Sequence, residues 1–166
     1  GALRNALERL VEAGKVSRFD RGIYMRQKFS EVIGTITPGI DELAKAIARR
    51  DRARIAPTGV YALNRLGLST QVPMNVIYLT DGAARKVKVG RRTITFKRTT
   101  PKNVAAIGQT SRLVIQALRA IGKDNVTNGT VKQVQVILKH EDRNRLAHDM
   151  RLAPAWIREI IKPALS

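Results

Sequence analysis

The sequence lacks several features on which whole classes of function depend. It contains no cysteine, which excludes disulfides, thiolate nucleophiles and thiolate zinc sites and is compatible with the reducing cytoplasm, where we expect the protein to reside. No stretch approaches the roughly 20 consecutive apolar residues that a membrane-spanning helix needs, and the first residues do not resemble a signal peptide. One Trp, three Tyr and three Phe are too few to favour stacking on single-stranded nucleic acid. We expect a soluble protein that does not contact a membrane.

Motifs for catalysis and cofactor binding are also scarce. The chain has neither a glycine-rich phosphate loop nor an HExxH metal motif. Asp81 follows a predicted strand, where a catalytic acid could lie, but Asp-Gly is also a common turn, and we favour the turn. The only histidines, and the acids near them, are interpreted as polar surface groups on helices: His140, His148, Asp142 and Asp149. We therefore expect no catalytic residue, no metal and no cofactor.

Acidic residues are few relative to basic ones. Thirteen Asp and Glu against 31 Lys and Arg give a formal net charge of +18, which is typical of proteins that contact phosphates. The segment from Ala83 to Lys123 contains eleven cations and no acid. A basic genome-wide composition, or pairing with an acidic protein, would also explain the charge. Polyanions are the expected partners.

The first 26 residues predict a helix followed by a hairpin. Leu3, Leu7, Leu10 and Val11 share one helical face, and Gly14 is a natural stop. The strand-like runs KVSRF and IYM then flank an Asp-Arg-Gly turn at 20–22. This is the order of a recognition helix and wing, so we assign residues 1–36 to a partial winged helix-turn-helix that lacks its two preceding helices. The boundary is placed where the pattern weakens between Gln27 and Gly39.

Basic and amide side chains on this helix and hairpin are candidates for contacts to operator DNA, because Arg favours guanine and Asn favours adenine in the major groove. The same residues could be an ordinary solvated face, since Glu8 and Glu12 would repel phosphate. The candidates are Arg4, Asn5, Arg9, Arg18, Arg21 and Arg26.

Residues 37–166 predict a larger domain with a small central sheet and a helical C-terminal half. Helices are expected at 40–50 and 60–66, strands at 54–56 and 75–79, and a hairpin pairs 86–89 with 93–97. The inward residues of that hairpin are Val87, Val89, Ile94 and Phe96. Further helices are expected at 103–107, 111–121, 128–139, 141–150 and 154–162, the last anchored by Trp156. The whole chain is expected to be α+β or mixed α/β.

The basic hairpin of this domain is a candidate phosphate-facing surface. Lys86 and Lys88 share one face by the two-residue period, as do Arg91, Thr93, Thr95 and Lys97. Contact with nucleic acid, contact with an acidic protein, and basic edge strands that prevent aggregation remain open as explanations. The candidates are Arg85, Lys86, Lys88, Arg91, Arg92, Lys97 and Arg98.

Several consecutive runs give the chain a resemblance to a known family. They are LERLVEAGKVSRFDRGIY at 7–24, PTGVYALNRLGLSTQVP at 57–73, YLTDG at 78–82, FKRTTP at 96–101 and LAPAWIR at 152–158. With these runs the chain resembles the AbiEi-type antitoxins of type IV bacterial toxin-antitoxin systems, or a close relative with the same winged-helix layout.

The resemblance implies an antitoxin that is also a transcriptional autorepressor. Its N-terminal winged helix would bind operator DNA, with Arg4, Asn5, Arg9, Arg18 and Arg21 in the recognition helix and wing. Its C-terminal domain would neutralise a nucleotidyltransferase-like toxin, and no catalytic residue is implied. The alternative is a basic protein whose central domain grips structured RNA.

Overall fold

The N-terminal elements have the predicted order in the computed structural model, which describes residues 1–26, 28–31, 34–36 and 39–166. Helix α1 spans Ala2–Glu12, and Gly14 follows it with a φ of 71° that a residue with a Cβ would rarely adopt. Strands β1 (Val16–Asp20) and β2 (Ile23–Arg26) pair antiparallel around the predicted turn. The helix and hairpin are confirmed.

A second hairpin follows in the segment where the sequence pattern weakens. Strands β3 (Lys28–Ser30) and β4 (Gly34–Ile36) pair antiparallel, with Phe29 opposite Thr35. The sequence did not predict them, because three residues are too few to display a two-residue alternation. The boundary predicted after residue 36 falls at the end of β4, and five positions of this segment lie outside the described residues: Gln27, Val32, Ile33, Thr37 and Pro38.

A four-stranded mixed sheet forms the centre of the molecule. Strands β5 (Ile55–Pro57), β6 (Asn75–Thr80), β7 (Arg85–Val89) and β8 (Arg92–Arg98) are arranged in the order β5-β6-β8-β7. The β6/β8 pair is parallel, and the β5/β6 and β7/β8 pairs are antiparallel. Residues of β6 alternate between buried and exposed rather than being buried throughout, because only one face of the sheet carries the core.

The first hydrophobic core lies between this sheet and helix α2 (Ile40–Asp51). The helix buries an apolar stripe that includes Leu43, Ala44 and Ile47. Helix α3 (Gly59–Arg65) contributes Tyr61, and β2 of the first hairpin contributes Ile23. The sheet contributes Val76, Tyr78, Val87, Val89, Ile94 and Phe96, which confirms the four predicted inward residues.

The C-terminal half is helical and has its own core. A 3-10 turn at Pro101–Val104 leads to α4 (Gln109–Ile121), α5 (Asn128–Leu138), α6 (Arg143–Met150) and α7 (Ala155–Ile161), with further 3-10 turns at Lys123–Asn125 and Lys162–Leu165. The helix expected at 103–107 is wrong, since 105–107 are not helical. The second core includes Val114, Leu118, Leu138, Leu146 and Ile157, with Trp156 packed against it.

The chain therefore has a mixed α+β fold, with the predicted central sheet and helical second half. In the part of the chain that the structure describes, no helix has the length and apolarity to cross a membrane.

Candidate nucleic-acid interface

All six candidate DNA-contacting side chains are exposed. Arg4, Asn5 and Arg9 lie on α1, and Arg18, Arg21 and Arg26 lie on the β1–β2 hairpin that follows. The Nε of Arg4 lies 3.0 Å from Glu8 Oε1, so one acid faces the same side as the predicted base-reading residues. The helix therefore presents a mixed surface, whose cations outnumber its acids only when the hairpin is included.

The β1–β2 hairpin has one face against the core and one face outward. Phe19, Ile23 and Met25 pack on the first hydrophobic core. Arg18 pairs with Tyr24 across the ladder, and its guanidinium lies 5.9 Å from the tyrosine ring centroid. The cationic side of the hairpin is thus turned away from the body of the molecule.

A network of two arginines and two aspartates fixes the hairpin to the sheet. Asp20 Oδ2 lies 2.9 Å from Arg50 Nη1 and 3.4 Å from Arg85 Nη1. Asp51 lies 2.9 Å from Arg50 Nε and 3.1 Å from Arg85 Nε. Burial alone would raise the pKa of Asp20, but hydrogen bonds from the Arg21 backbone and Arg50, with the nearby positive charges, lower it below its ordinary value.

The candidate phosphate-facing residues of β7 and β8 do not form one surface. Arg85 points to the same side as Val87 and is held in the ion-pair network, so its place in a phosphate-facing set is corrected. Arg92 is half-buried, and its Nη2 donates to the Pro73 carbonyl at 3.2 Å. Arg91 occupies the exposed turn, and Arg98 is exposed at the end of β8.

Three lysines remain together on the open face of the sheet. Lys86 lies opposite Thr95, Lys88 lies opposite Thr93, and Lys97 lies next to Leu79 of the parallel strand. All three are exposed, as the two-residue period predicts. This face combines ammonium groups with threonine hydroxyls.

Asp149 is a titratable residue whose burial was not predicted from the sequence. It is fully buried, so its interpretation as a surface group is wrong. Its carboxylate accepts hydrogen bonds from the backbone N–H groups of Ile107 (2.9 Å) and Gly108 (2.8 Å), from the Ser111 hydroxyl, and lies 2.8 Å from His148 Nδ1. Since it holds the start of α4, it is a structural acid.

The acids Glu141 and Asp142, near Asp149, also have positions that stabilise the fold. Glu141 Oε2 accepts from the backbone N–H groups of Thr110 (2.7 Å) and Ser111 (3.0 Å) at the same helix start. Asp142 caps α6 by accepting from Arg145 N at 2.9 Å, while His140 and His148 are exposed. Because carboxylates occupy the free N–H groups of α4, this helix start does not offer them to a phosphate.

Asp81 likewise has a structural role, because both of its carboxylate oxygens bind Arg54. Its Oδ1 accepts from Arg54 N at 2.7 Å, and its Oδ2 accepts from Arg54 Nε at 3.1 Å. It follows β6 in a bend, in agreement with the turn that the sequence favoured.

A buried tyrosine pair shares one carboxylate beneath a cavity. Tyr61 and Tyr78 donate to the same Asp41 oxygen, at 2.8 and 2.5 Å, and Arg65 pairs with the other oxygen. Burial, then the bond to Asp41 and its charge, raises the pKa of Tyr61 to about 12 and raises that of Tyr78 as well. No local sequence pattern predicts this cluster, since its members lie on three separate elements.

A second set of cations, which was not among the residues predicted from the sequence, lies along α2 and just after it. Lys45, Arg49 and Arg52 are spaced four and three residues apart along α2, and all are exposed. With Arg54 and Arg112 they line one cavity. The helical spacing, opposite the apolar stripe of α2, is a signal that could have indicated the first three.

Residues 1–146 match the model of a family that is described as of unknown function, DUF6088. The chain belongs to this family. No curated protein and no solved structure matches it. Membership covers the helix, both hairpins, the sheet and the chain as far as α6, so the exposed basic groups described above all lie within the shared part.

Proposed function

We propose that the protein is a DNA-binding regulator of the antitoxin type, which represses its own operon and neutralises a nucleotidyltransferase-like toxin. The observation that carries the DNA-binding part is the joint exposure of Arg4, Asn5 and Arg9 on α1 and of Arg18, Arg21 and Arg26 on the hairpin next to it. A helix that enters the major groove and a basic hairpin that touches the adjacent backbone need this arrangement.

The rigidity of the hairpin supports the same proposal. Its inward face is fixed by core packing and by the Arg50 and Arg85 network, so the outward cations have a defined position. A wing that is held by the body of the molecule presents its backbone contacts at a defined position.

The test is binding of the protein to DNA from directly upstream of its own gene, measured across a salt series. Arg4→Ala is expected to reduce preference for that sequence over random DNA, because a base contact is worth about 1–3 kcal/mol of discrimination. Arg21→Ala is expected to weaken all sequences alike and to reduce the salt dependence.

Arg158→Ala is the matched control, since Arg158 is exposed on α7 at the other end of the chain. If Arg4→Ala and Arg21→Ala reduce binding to every sequence by the same factor, α1 does not read bases.

The antitoxin part of the proposal rests on the resemblance of the sequence runs. It predicts a nucleotidyltransferase gene directly downstream, and survival of cells that express that toxin only when this protein is co-expressed. Toxicity that this protein leaves unchanged would contradict the antitoxin role.

A second candidate function is RNA binding by the open face of the central sheet, which Lys86, Lys88 and Lys97 favour by projecting together. Lys86→Gln with Lys88→Gln is then expected to weaken binding to transfer RNA more than Arg4→Ala does. An equal preference for duplex DNA would contradict this function.

A further inference from the structure

A basic cleft lies between the C-terminal half of α2, strand β5, the Pro101–Val104 turn and α4. Its largest part is a cavity of about 350 Å³ that is lined by five cations and no carboxylate. The cations are Lys45, Arg49, Arg52, Arg54 and Arg112, and the rest of the lining is apolar: Ala48, Ala53, Ile55, Val104 and Ala106.

The cleft is longer than this one cavity. A neighbouring cavity of about 290 Å³ shares Lys45 and Arg112 and adds Arg65. A third void of about 10 Å³ also shares Arg112 and is lined by Lys102 and Arg119, but it is too small to admit a phosphate. The two larger cavities share Lys45 and Arg112, so together they form a basic cleft that is longer than either cavity alone.

Three of the five cations in the 350 Å³ cavity are available to a ligand. Within the described residues, Lys45, Arg49 and Arg52 are exposed and form no ion pair, and Arg54 is paired with Asp81 at 3.1 Å. The acid of the neighbouring cavity, Asp41, already accepts from two tyrosines and pairs with Arg65. Like charges placed together without acids repel one another, and an anionic ligand would relieve that repulsion.

Arg112 is held in place where the two larger cavities meet. Its Nη1 donates to the Ile55 carbonyl at 3.3 Å, which ties α4 to the edge strand of the sheet. In the described part of the chain its Nε is buried without a hydrogen-bond partner. A guanidinium that is already oriented loses less conformational freedom when it binds an anion.

Arg52 occupies a backbone conformation that a structural role alone would assign to glycine. It caps the C-terminal end of α2 with φ 51° and ψ 40°, and it is the one residue other than glycine with positive φ in the described part of the chain. Glycine, or asparagine, is the usual residue in such a cap because a Cβ is strained there. The strained residue here is one that places a guanidinium in the cleft, which points to a ligand.

We propose that this cleft binds the sugar–phosphate backbone of a nucleic acid without reading its bases. A cleft that extends over two cavities suits a polymer, and arginine suits phosphate because its planar fork donates two hydrogen bonds. The 350 Å³ cavity of the cleft has no aromatic side chain on which a base could stack. The proposal does not rest on the helix–hairpin site, because none of the cleft cations belongs to α1, β1 or β2.

Arg52→Gly is the sharpest test, because it is expected to change stability and binding in opposite directions. Removing the Cβ relieves the left-handed strain, so the melting temperature is expected to rise, whereas loss of a structural residue would lower it. Affinity for a random 20-nucleotide DNA or RNA is expected to fall about 3- to 10-fold, and the salt slope is expected to decrease by about 0.7–0.9 for one lost phosphate contact.

A second variant and a control make the result independent of Arg52. Lys45→Gln with Arg49→Gln removes two cleft charges from an exposed helix face and is expected to lower affinity further, by a factor that does not depend on base sequence. Lys132→Gln, on the exposed side of α5, removes one charge outside the cleft and is expected to leave affinity within about 2-fold. Equal losses in the cleft variants and the control would overturn the proposal.

The same measurements separate this cleft from the helix–hairpin site. In a background with Arg4, Arg18 and Arg21 all changed to Gln, Arg52→Gly is still expected to reduce the remaining binding. If Arg52→Gly causes no further loss of affinity in that background, the cleft proposal is overturned, even when the unmodified protein binds its operator. A preference for RNA or for DNA would identify which backbone is bound. If poly-glutamate displaces the labelled oligonucleotide at the same charge concentration as unlabelled oligonucleotide does, the cleft binds acidic protein, and the nucleic-acid proposal is overturned.

Discussion

Asp149 carries a full negative charge with no solvent contact, and its hydrogen bonds decide whether that charge is tolerated. Burial by itself would raise the pKa of Asp149, but donors from Ser111, His148, and the backbone of Ile107 and Gly108 lower it below the ordinary value of 3.8. A carboxyl whose pKa is lower in the folded state stabilises the protein above its unfolded pKa. That stabilisation is lost as pH falls through and below 3.8.

Asp149→Asn is therefore expected to lower the free energy of unfolding by about 2–4 kcal/mol, because the amide has one acceptor oxygen where four donors converge. Thermal melts at pH 6 check this, and between pH 6 and pH 3 the variant should lose less stability than the parent. Asp142→Asn is the control on the same helix, since Asn is an equally good N-cap. A melting temperature for Asp149→Asn equal to that of Asp142→Asn would contradict the account.

Tyr61 illustrates the opposite sign of pH dependence. Its pKa is raised to about 12, so the folded state keeps the phenolic proton that the unfolded chain releases near pH 10. The stabilisation from its bond to Asp41 is complete below pH 10 and is lost as pH rises towards 12. Tyr61→Phe is expected to cost about 0.5–1.5 kcal/mol at pH 8.

Denaturant unfolding of both proteins at pH 8 and pH 11 checks this prediction. The difference in the free energy of unfolding between Tyr61→Phe and the parent should be smaller at pH 11 than at pH 8. An equal difference at both pH values would show that folding does not raise the pKa of Tyr61.

Helix α4 belongs to the second core and also contacts α3 and β5. Its N-cap, Gly108, lies so close to other side chains that only glycine fits there. A Cβ on Gly108 would lie 2.1 Å from Ser111 Oγ and 2.6 Å from Glu141 Oε2, the groups that satisfy the helix start. Gly108→Ala is therefore expected to destabilise the protein by about 2–4 kcal/mol, which corresponds to roughly 4–16 °C in melting temperature for a chain of this length.

Gly39→Ala is the matched control for α4. Gly39 is also a helix N-cap with negative φ, and a Cβ there would have nothing within 4 Å. Its cost is expected to stay below about 1 kcal/mol. Similar melting temperatures for the two variants would mean that the crowding at Gly108 is relieved without loss.

The whole molecule is dominated by its charge of +18. Repulsion among exposed cations destabilises the compact state, and salt screens it over about 10 Å at 0.1 M. The melting temperature is therefore expected to rise between 50 mM and 500 mM NaCl, because the half-buried network of Asp20, Arg50, Asp51 and Arg85 is screened less than the surface charges. Differential scanning calorimetry at both salt concentrations checks this, and a fall in melting temperature would show that ion pairs outweigh repulsion.

Nucleic acid should have the same stabilising effect at low salt. Any polyanion that binds the folded state raises its melting temperature by mass action. A random oligonucleotide is thus expected to stabilise the protein at 50 mM NaCl and to lose that effect at 500 mM NaCl. Stabilisation that is independent of salt would contradict binding through phosphates.

The sequence by itself determined those features that depend on local periodicity. Helix α1, the apolar stripe on α2, and the alternation that buries Val87, Val89, Ile94 and Phe96 were readable because helices and strands repeat with a fixed period. The apolar residues of α1 nevertheless are not buried, which the period alone does not determine. The short strands β3 and β4, and the non-helical stretch at 105–107, were missed because three residues display no period and capping depends on distant partners.

Only the tertiary structure decided which charges stand free and which are used internally. Arg85 and Lys86 are neighbours in the chain, yet one is held by Asp20 and Asp51 while the other is exposed. The cleft joins Lys45 of α2 to Arg112 of α4, and Asp149 meets Gly108 across about a quarter of the chain. Such contacts depend on how the helices pack against the sheet. The electrostatic environment of a charge is therefore a property of that packing rather than of the order of residues.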